Sequence, residues 1–168
     1  MESYALLLGS TLSAGTVLAI AALGLLINEK SGIVNLGAEG MMLCAAIAAF
    51  ATVVHTGSFA LGLLAGMAAG ALLAALFGWL VIWLNTNQYA TGLALSLFGV
   101  GFSAFVGISY VQAKLPDTPK FSWPVLGDLP VVGQALFRHH PLVYLTMVLV
   151  LLMVWFLYRT RAGLVLRS

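Results

Sequence analysis

Five apolar runs dominate this chain: about Ala5–Ile27, Ile33–Val54, Phe59–Leu84, Ala90–Gln112 and Pro141–Tyr158. Each is near or above the roughly 20 residues that an α-helix needs to cross a hydrocarbon layer ~30 Å thick. Lipid offers nothing to bond a free N–H or C=O, so each segment must satisfy its own backbone, and runs of this length do so as helices rather than barrel strands. No soluble domain fits between them. Charged residues make up only 7% of the chain and hydrophobic ones 62%. A soluble surface needs about 25% charged residues, so this composition excludes one. The expected fold is an all-α, multi-pass membrane bundle of about five transmembrane helices, forming one transmembrane domain over residues 1–168.

Other classes fall away on composition. The net charge of +2 is small and its cations are scattered, which gives nucleic acid no patch to bind. The single cysteine, Cys44, lies in an apolar run and reads as a packing residue; no intrachain disulfide is possible. The amino terminus, Met1-Glu2-Ser3-Tyr4, has no basic segment ahead of its apolar run. That run is also too long for a signal sequence, so it is expected to remain as a spanning helix.

The segment Ser31–Met42 sets a carboxylate, Glu39, within a stretch otherwise built for lipid. Eight residues past Ser31, Glu39 is expected roughly 12 Å into a helix, near the middle of the ~30 Å hydrocarbon layer. A charge there costs a few kcal/mol and is kept on a bundle interior, a water-filled path or an ion pair. Asn35, four residues earlier, is expected on the same helical face. Two readings stay open: a polar tie between helices, or a position lining a transport path.

The third run carries Gly62, Gly66, Gly70, Ala74 and Gly78, one small residue every four, a spacing that lets another helix approach closely. The fourth is looser, with Gly92, Gly99, Gly101 and Gly107 beside Thr91, Ser96 and Ser103. Glycines there permit bends or unwound turns, which in transporters often flank the substrate, although packing alone also explains them. The long polar stretch Ala113–His140 holds Pro116, Pro119, Pro124 and Pro130 with Phe121, Trp123 and Phe137, and reads as a cap on the membrane face. His139 and His140 on a helix would point about 100° apart with no further ligand near, so no metal site is expected.

Orientation is weakly marked. Parity over five helices groups Lys30, Arg159, Arg161 and Arg167 on one side, against Lys114, Lys120 and Arg138 on the other.

The collected blocks resemble a known pattern. Ile27–Met42, with its Gly32-Ile33-Val34-Asn35-Leu36-Gly37-Ala38-Glu39-Gly40-Met41-Met42 core, is similar to an early block of ABC-importer permeases of the branched-chain amino acid/ribose type, best in the nucleoside and simple-sugar branch. Asn87–Leu95, Leu129–Gly133 and Tyr158–Ser168 resemble three further blocks, in the same order. The resemblance implies paired permease subunits, two cytoplasmic ATPase subunits and an extracytoplasmic solute-binding protein. It makes Thr160–Ser168 the start of a cytoplasmic coupling segment, with Arg159, Arg161, Gly163, Leu164 and Arg167 on the ATPase-coupling side. The carboxyl terminus is then inside and residues 113–140 outside. The family pattern continues beyond the point where this sequence stops, so the chain is expected to be the N-terminal portion of a longer domain.

The function implied is passage of a nucleoside or sugar-like solute through the cytoplasmic membrane. The chain has no G-x-x-x-x-G-K-[ST] nucleotide site, so ATP would be spent on a partner and no cofactor is expected here. Asn35, Glu39, Asn87, Gln88, Thr91 and Ser96 are the candidates for lining the path, since amides and hydroxyls suit a hydroxyl-rich solute. A proton-coupled carrier working through Glu39 is the rival. An intramembrane enzyme is disfavoured, because neither H-E-x-x-H nor G-x-S-x-G occurs. The orientation is checked by cysteine labelling in intact cells. A cysteine at Ser122 should react with an impermeant thiol reagent and one at Ser168 should not; the reverse pattern inverts the topology.

Overall fold

The computed structural model describes residues 2–115 and 141–167. Helices are α1 (Glu2–Lys30), α2 (Ala38–Thr56), α3 (Phe59–Gly78), α4 (Gln88–Gly107), α5 (Pro141–Arg159) and α6 (Arg161–Arg167), with no strand among the described residues. Four helical stretches are long and apolar enough to cross a membrane, Ser10–Lys30, Ala38–Thr56, Phe59–Trp83 and Gln88–Tyr110, and Val143–Arg159 is a shorter apolar one. Most of the loop expected over residues 113–140 lies outside the described residues. The chain divides into two compact units, one of Met1–Gly32 with Thr118–Ser168 and one of Ile33–Asp117.

In the first unit α1 meets α5. Thr16 on α1 and Val143 and Thr146 on α5 are buried and line one groove. A hydroxyl in lipid needs an acceptor, and Thr16 donates to the Leu12 carbonyl one turn back, at 2.7 Å. The chain breaks at Thr160 and α6 turns back on the end of α5. Thr160 Oγ1 donates to the Phe156 carbonyl at 2.6 Å and accepts the Gly163 N–H at 3.1 Å.

The second unit holds α2, α3 and α4. Gly57, at φ 67°, closes α2 by donating its N–H to the Val53 carbonyl at 2.8 Å. Ser58 then caps α3, accepting the Leu61 N–H at 3.4 Å. A two-residue link of this kind makes α2 and α3 an antiparallel hairpin. The glycine stripe of α3 faces α2 over part of its length. A Cβ on Gly62 would strike Val53, and one on Gly66 would lie 3.0 Å from the Ala45 carbonyl and 3.1 Å from Ala49 Cβ. At Gly70 contact with Ala45 is ordinary, at 3.7 Å, and at Gly78 nothing lies within 4 Å. Met41, Phe77 and Leu95 form a small core shared by the three helices, with Ile33, Leu73 and Val81 packed round it.

Two boundaries differ from those read in the sequence. The second helix starts at Ala38 and not at Ile33, because Asn35 Oδ1 accepts the Gly37 N–H at 2.9 Å. That local bond competes with the helical one and turns the chain at Leu36–Gly37. The third run continues past Gly78 as a π-helical turn, Trp79–Trp83, closed by the Leu84 N–H on the Trp79 carbonyl at 3.3 Å. Thr86 ends it, its N–H and its hydroxyl both bonding the Leu80 carbonyl at 3.2 and 2.9 Å.

Gly66→Leu should overfill the α2–α3 contact and cost about 1–3 kcal/mol, seen as lower folded yield and thermal stability in detergent. Gly78→Leu, where the space is open, should leave both unchanged.

Candidate functional site

The polar candidates collect at one end of the second unit, where the start of α2, the end of α3 and the start of α4 meet. α2 and α4 run parallel there, since Gly40 pairs with Leu95–Gly99 near their starts and Phe50 and His55 meet Tyr110 near their ends. His55 Nε2 and the Tyr110 hydroxyl share a hydrogen bond of 2.9 Å at that far end.

Glycine sets how closely α2 and α4 approach. A Cβ on Gly40 would come within 2.5 Å of the Leu95 carbonyl and 2.6 Å of Ser96 Cα, and a Cβ on Gly99 would strike the Gly40 backbone. Further along, a Cβ on Gly92 would lie 2.9 Å from the Leu36 nitrogen, and one on Gly37 3.1 Å from the Gly92 carbonyl. The non-helical segment Ile33–Gly37 is thus laid directly against the backbone of α4.

Gln88 fastens that segment. Its Oε1 accepts the Val34 N–H at 3.1 Å across 54 residues of sequence. Asn35 is buried, with 8% of its surface exposed, and spends its side chain on the Gly37 N–H and on Met41 Sδ at 3.7 Å. Asn87 is also committed: it is the N-cap of α4 and accepts the Tyr89 and Ala90 N–H groups at 2.9 and 3.2 Å. Thr91 and Thr86 hydroxyls lie 2.9 Å apart. Ser96 is half-buried beside Gly40.

Glu39 stands differently from the sequence expectation. It lies in the first turn of α2 and not deep within a helix, and Asn35 precedes the helix and does not share its face. The carboxylate is exposed and makes no hydrogen bond or ion pair with the described residues. The helix N-terminus carries partial positive charge, which favours a carboxylate there. No group of three His, Cys, Asp or Glu able to hold a metal occurs among the described residues.

Sequence reasoning missed Thr86 and the pairing of Gly37 with Gly92 and Gly40 with Gly99. The Gly37/Gly40 and Gly92/Gly99 pairs were visible as small residues, but nothing local indicates which helix each pair meets.

In the first unit Arg159 and Arg161 are exposed on either side of the Thr160 break, and Leu164 is exposed on α6. Gly163 is buried: a Cβ there would lie 2.7 Å from Leu157 Cα and strike the Phe156 carbonyl. Arg167 closes α6, its side chain lying outside the description, as does Ser168.

A helical membrane protein whose spans are joined by close glycine crossings, with amides at an unwound segment, has the build of a transport permease. Residues 7–168 match the family described as branched-chain amino acid transport system / permease component, and the chain belongs to that family. It is a multi-pass protein of the cytoplasmic membrane. It is 41% identical to a putative glucose ABC transporter permease protein of Haloferax volcanii over 98% of this chain and 51% of that relative. A guanosine ABC transporter permease protein of Bacillus subtilis is 34% identical, over all of this chain and 56% of its own length. A nucleoside ABC transporter permease protein of Lactococcus lactis is 29% identical over the same shares. The chain therefore spans about half the length of the curated relatives it matches. No solved structure matches it significantly.

Gln88→Leu should leave the Val34 N–H without its acceptor, at a cost of about 1–3 kcal/mol. Deuterium uptake of the Ile33–Gly37 segment should rise; unchanged uptake would show that the bond does not hold it.

Proposed function

We propose that this chain forms the N-terminal part of a permease subunit of an ATP-binding-cassette importer for a nucleoside or simple-sugar-like solute. The observation that carries this reading is the match along almost the whole chain to relatives named for glucose, guanosine and nucleosides. The chemistry of the site is consistent with it. Asn35 uses both its oxygen and its amide within the chain, so it positions the site; Asn87 gives only its oxygen to backbone and keeps its amide donors, as Gln88 does. Glu39, the remaining donor capacity of Asn87 and Gln88, the Thr91 hydroxyl and the Ser96 hydroxyl are then the groups for a polar, uncharged solute to meet.

The partners follow from the same reading: two ATPase subunits that spend ATP, a second permease subunit and an extracytoplasmic binding protein. On this reading residues 113–140 are the extracytoplasmic loop. Residues 159–168 open the cytoplasmic coupling segment, where Arg159, Arg161 and Arg167 stand on the positive-inside face. Gly163 lets α6 fold tightly on α5, which presents Leu164, Arg159 and Arg161 beneath the membrane to an ATPase.

The exposure of Glu39 is the one observation that favours a proton-coupled carrier. Uptake into proteoliposomes by the full transporter carrying this sequence separates the two. With ATP as the energy source, Glu39→Gln should keep at least about half of the uptake, because amide and carboxylate are of similar shape and both accept hydrogen bonds. Glu39→Leu should lower uptake severely. Loss of uptake with Gln, together with collapse when the proton gradient is dissipated at constant ATP, overturns the importer in favour of the carrier.

A further inference from the structure

One face of α3 packs on α2 through Gly62 and Gly66, and no described residue of the same unit covers the opposite face. Along it Leu64, Leu72, Trp79 and Trp83 are 60%, 72%, 53% and 79% exposed. These positions fall on one stripe at helical spacing, and the π-helical turn keeps Trp79 and Trp83 on the same side. From Leu61 to Leu84 the two indoles are the only side chains that can donate a strong hydrogen bond. Neither makes a hydrogen bond with the described residues. Both sit at the last turn of a 25-residue apolar span, directly before the exposed polar turn Asn85-Thr86-Asn87.

An indole has an apolar body and one N–H donor, and it is best placed where hydrocarbon ends and ester and phosphate oxygens begin. We propose that Trp79 and Trp83 form a lipid anchor, with both rings in the headgroup-ester layer of the bilayer and their Nε1–H groups donating to lipid oxygens. Three features select lipid as the occupant. The stripe leading to the indoles is leucine-rich and without a polar side chain, which matches acyl chains. The donors appear only where the span meets its polar turn. The face is continuous with the surface of a helix long enough to span the membrane. The anchor fixes the depth of the α3 terminus, and through Thr86 on the Leu80 carbonyl it fixes the turn that leads to Gln88. It does not depend on which solute is carried.

The test uses the full chain in phosphatidylcholine brominated either near the ester end or near the methyl end of its acyl chains. Trp123→Phe and Trp155→Phe, with Phe at any tryptophan outside these 168 residues, leave the α3 pair as the only emitting indoles. Shallow bromines should quench them at least about two-fold more than deep ones, as expected for rings at the interface. Equal or stronger quenching by deep bromines would place the rings in hydrocarbon and overturn the proposal. Quenching by neither lipid would show a protein cover and also overturn it. The unaltered chain gives an independent reading: a lipid with a carbene precursor near its headgroup should label the Trp79–Trp83 peptide. Labelling elsewhere on α3 but not there refutes the anchor whatever the variants do.

Discussion

The approach of α2 to α4 through Gly40 and Gly99 governs the arrangement of the second unit. Two backbones in contact leave no room for side chains between them, and neighbouring glycines extend the contact, with Gly37 against Gly92. In a membrane such closeness is not driven by exclusion of water, since lipid tails are as apolar as leucine; it rests on van der Waals contact between flat surfaces. The separation it imposes brings the Val34 N–H within reach of Gln88 and sets Leu95 beside Met41 and Phe77. An alanine at Gly99 would push α4 outward and loosen all of these contacts together.

The unwound segment before α2 follows from that closeness. Backbone that leaves the helix must find other partners for its polar groups. Here the acceptors are side chains drawn from nearby and from far along the chain: Asn35 for Gly37, Gln88 for Val34. The side-chain oxygens of Asn35 and Asn87, two residues that looked like solute ligands by type, both accept backbone N–H groups. A polar residue in an apolar run thus has two uses, and one of them is to allow the chain to leave the helix.

Much of the fold was legible because a lipid solvent makes length and hydropathy decisive. The five long helices lie where helices were expected, and Gly62 and Gly66 lie where an approach was expected. The start of α2 was misjudged because hydropathy does not register an Asn side chain capturing a backbone donor two residues on. The π-helical turn was equally invisible: Trp79–Trp83 is as apolar as the α-helix before it, and its distinction depends on Thr86, beyond the run, bonding the Leu80 carbonyl. The site was only partly readable, since Gln88 and Val34 meet through a crossing that no local pattern specifies.

The two-residue link Gly57–Ser58 bears on how the unit assembles. The α2–α3 contacts, Val53 with Gly62, Ala49 and Ala45 with Gly66, join residues close in sequence, so closing that hairpin costs little chain entropy. The Gly40–Gly99 crossing and the Val34–Gln88 bond close a far longer loop. During synthesis α2 and α3 are therefore positioned to zip together first and enter the bilayer as one insertion unit. Gly40 and Cys44 remain uncovered on the other side of α2, a vacant berth for α4. The last helix to emerge draws Val34 out of solvent and completes the polar end of the bundle, so the site is the final part of this unit to form.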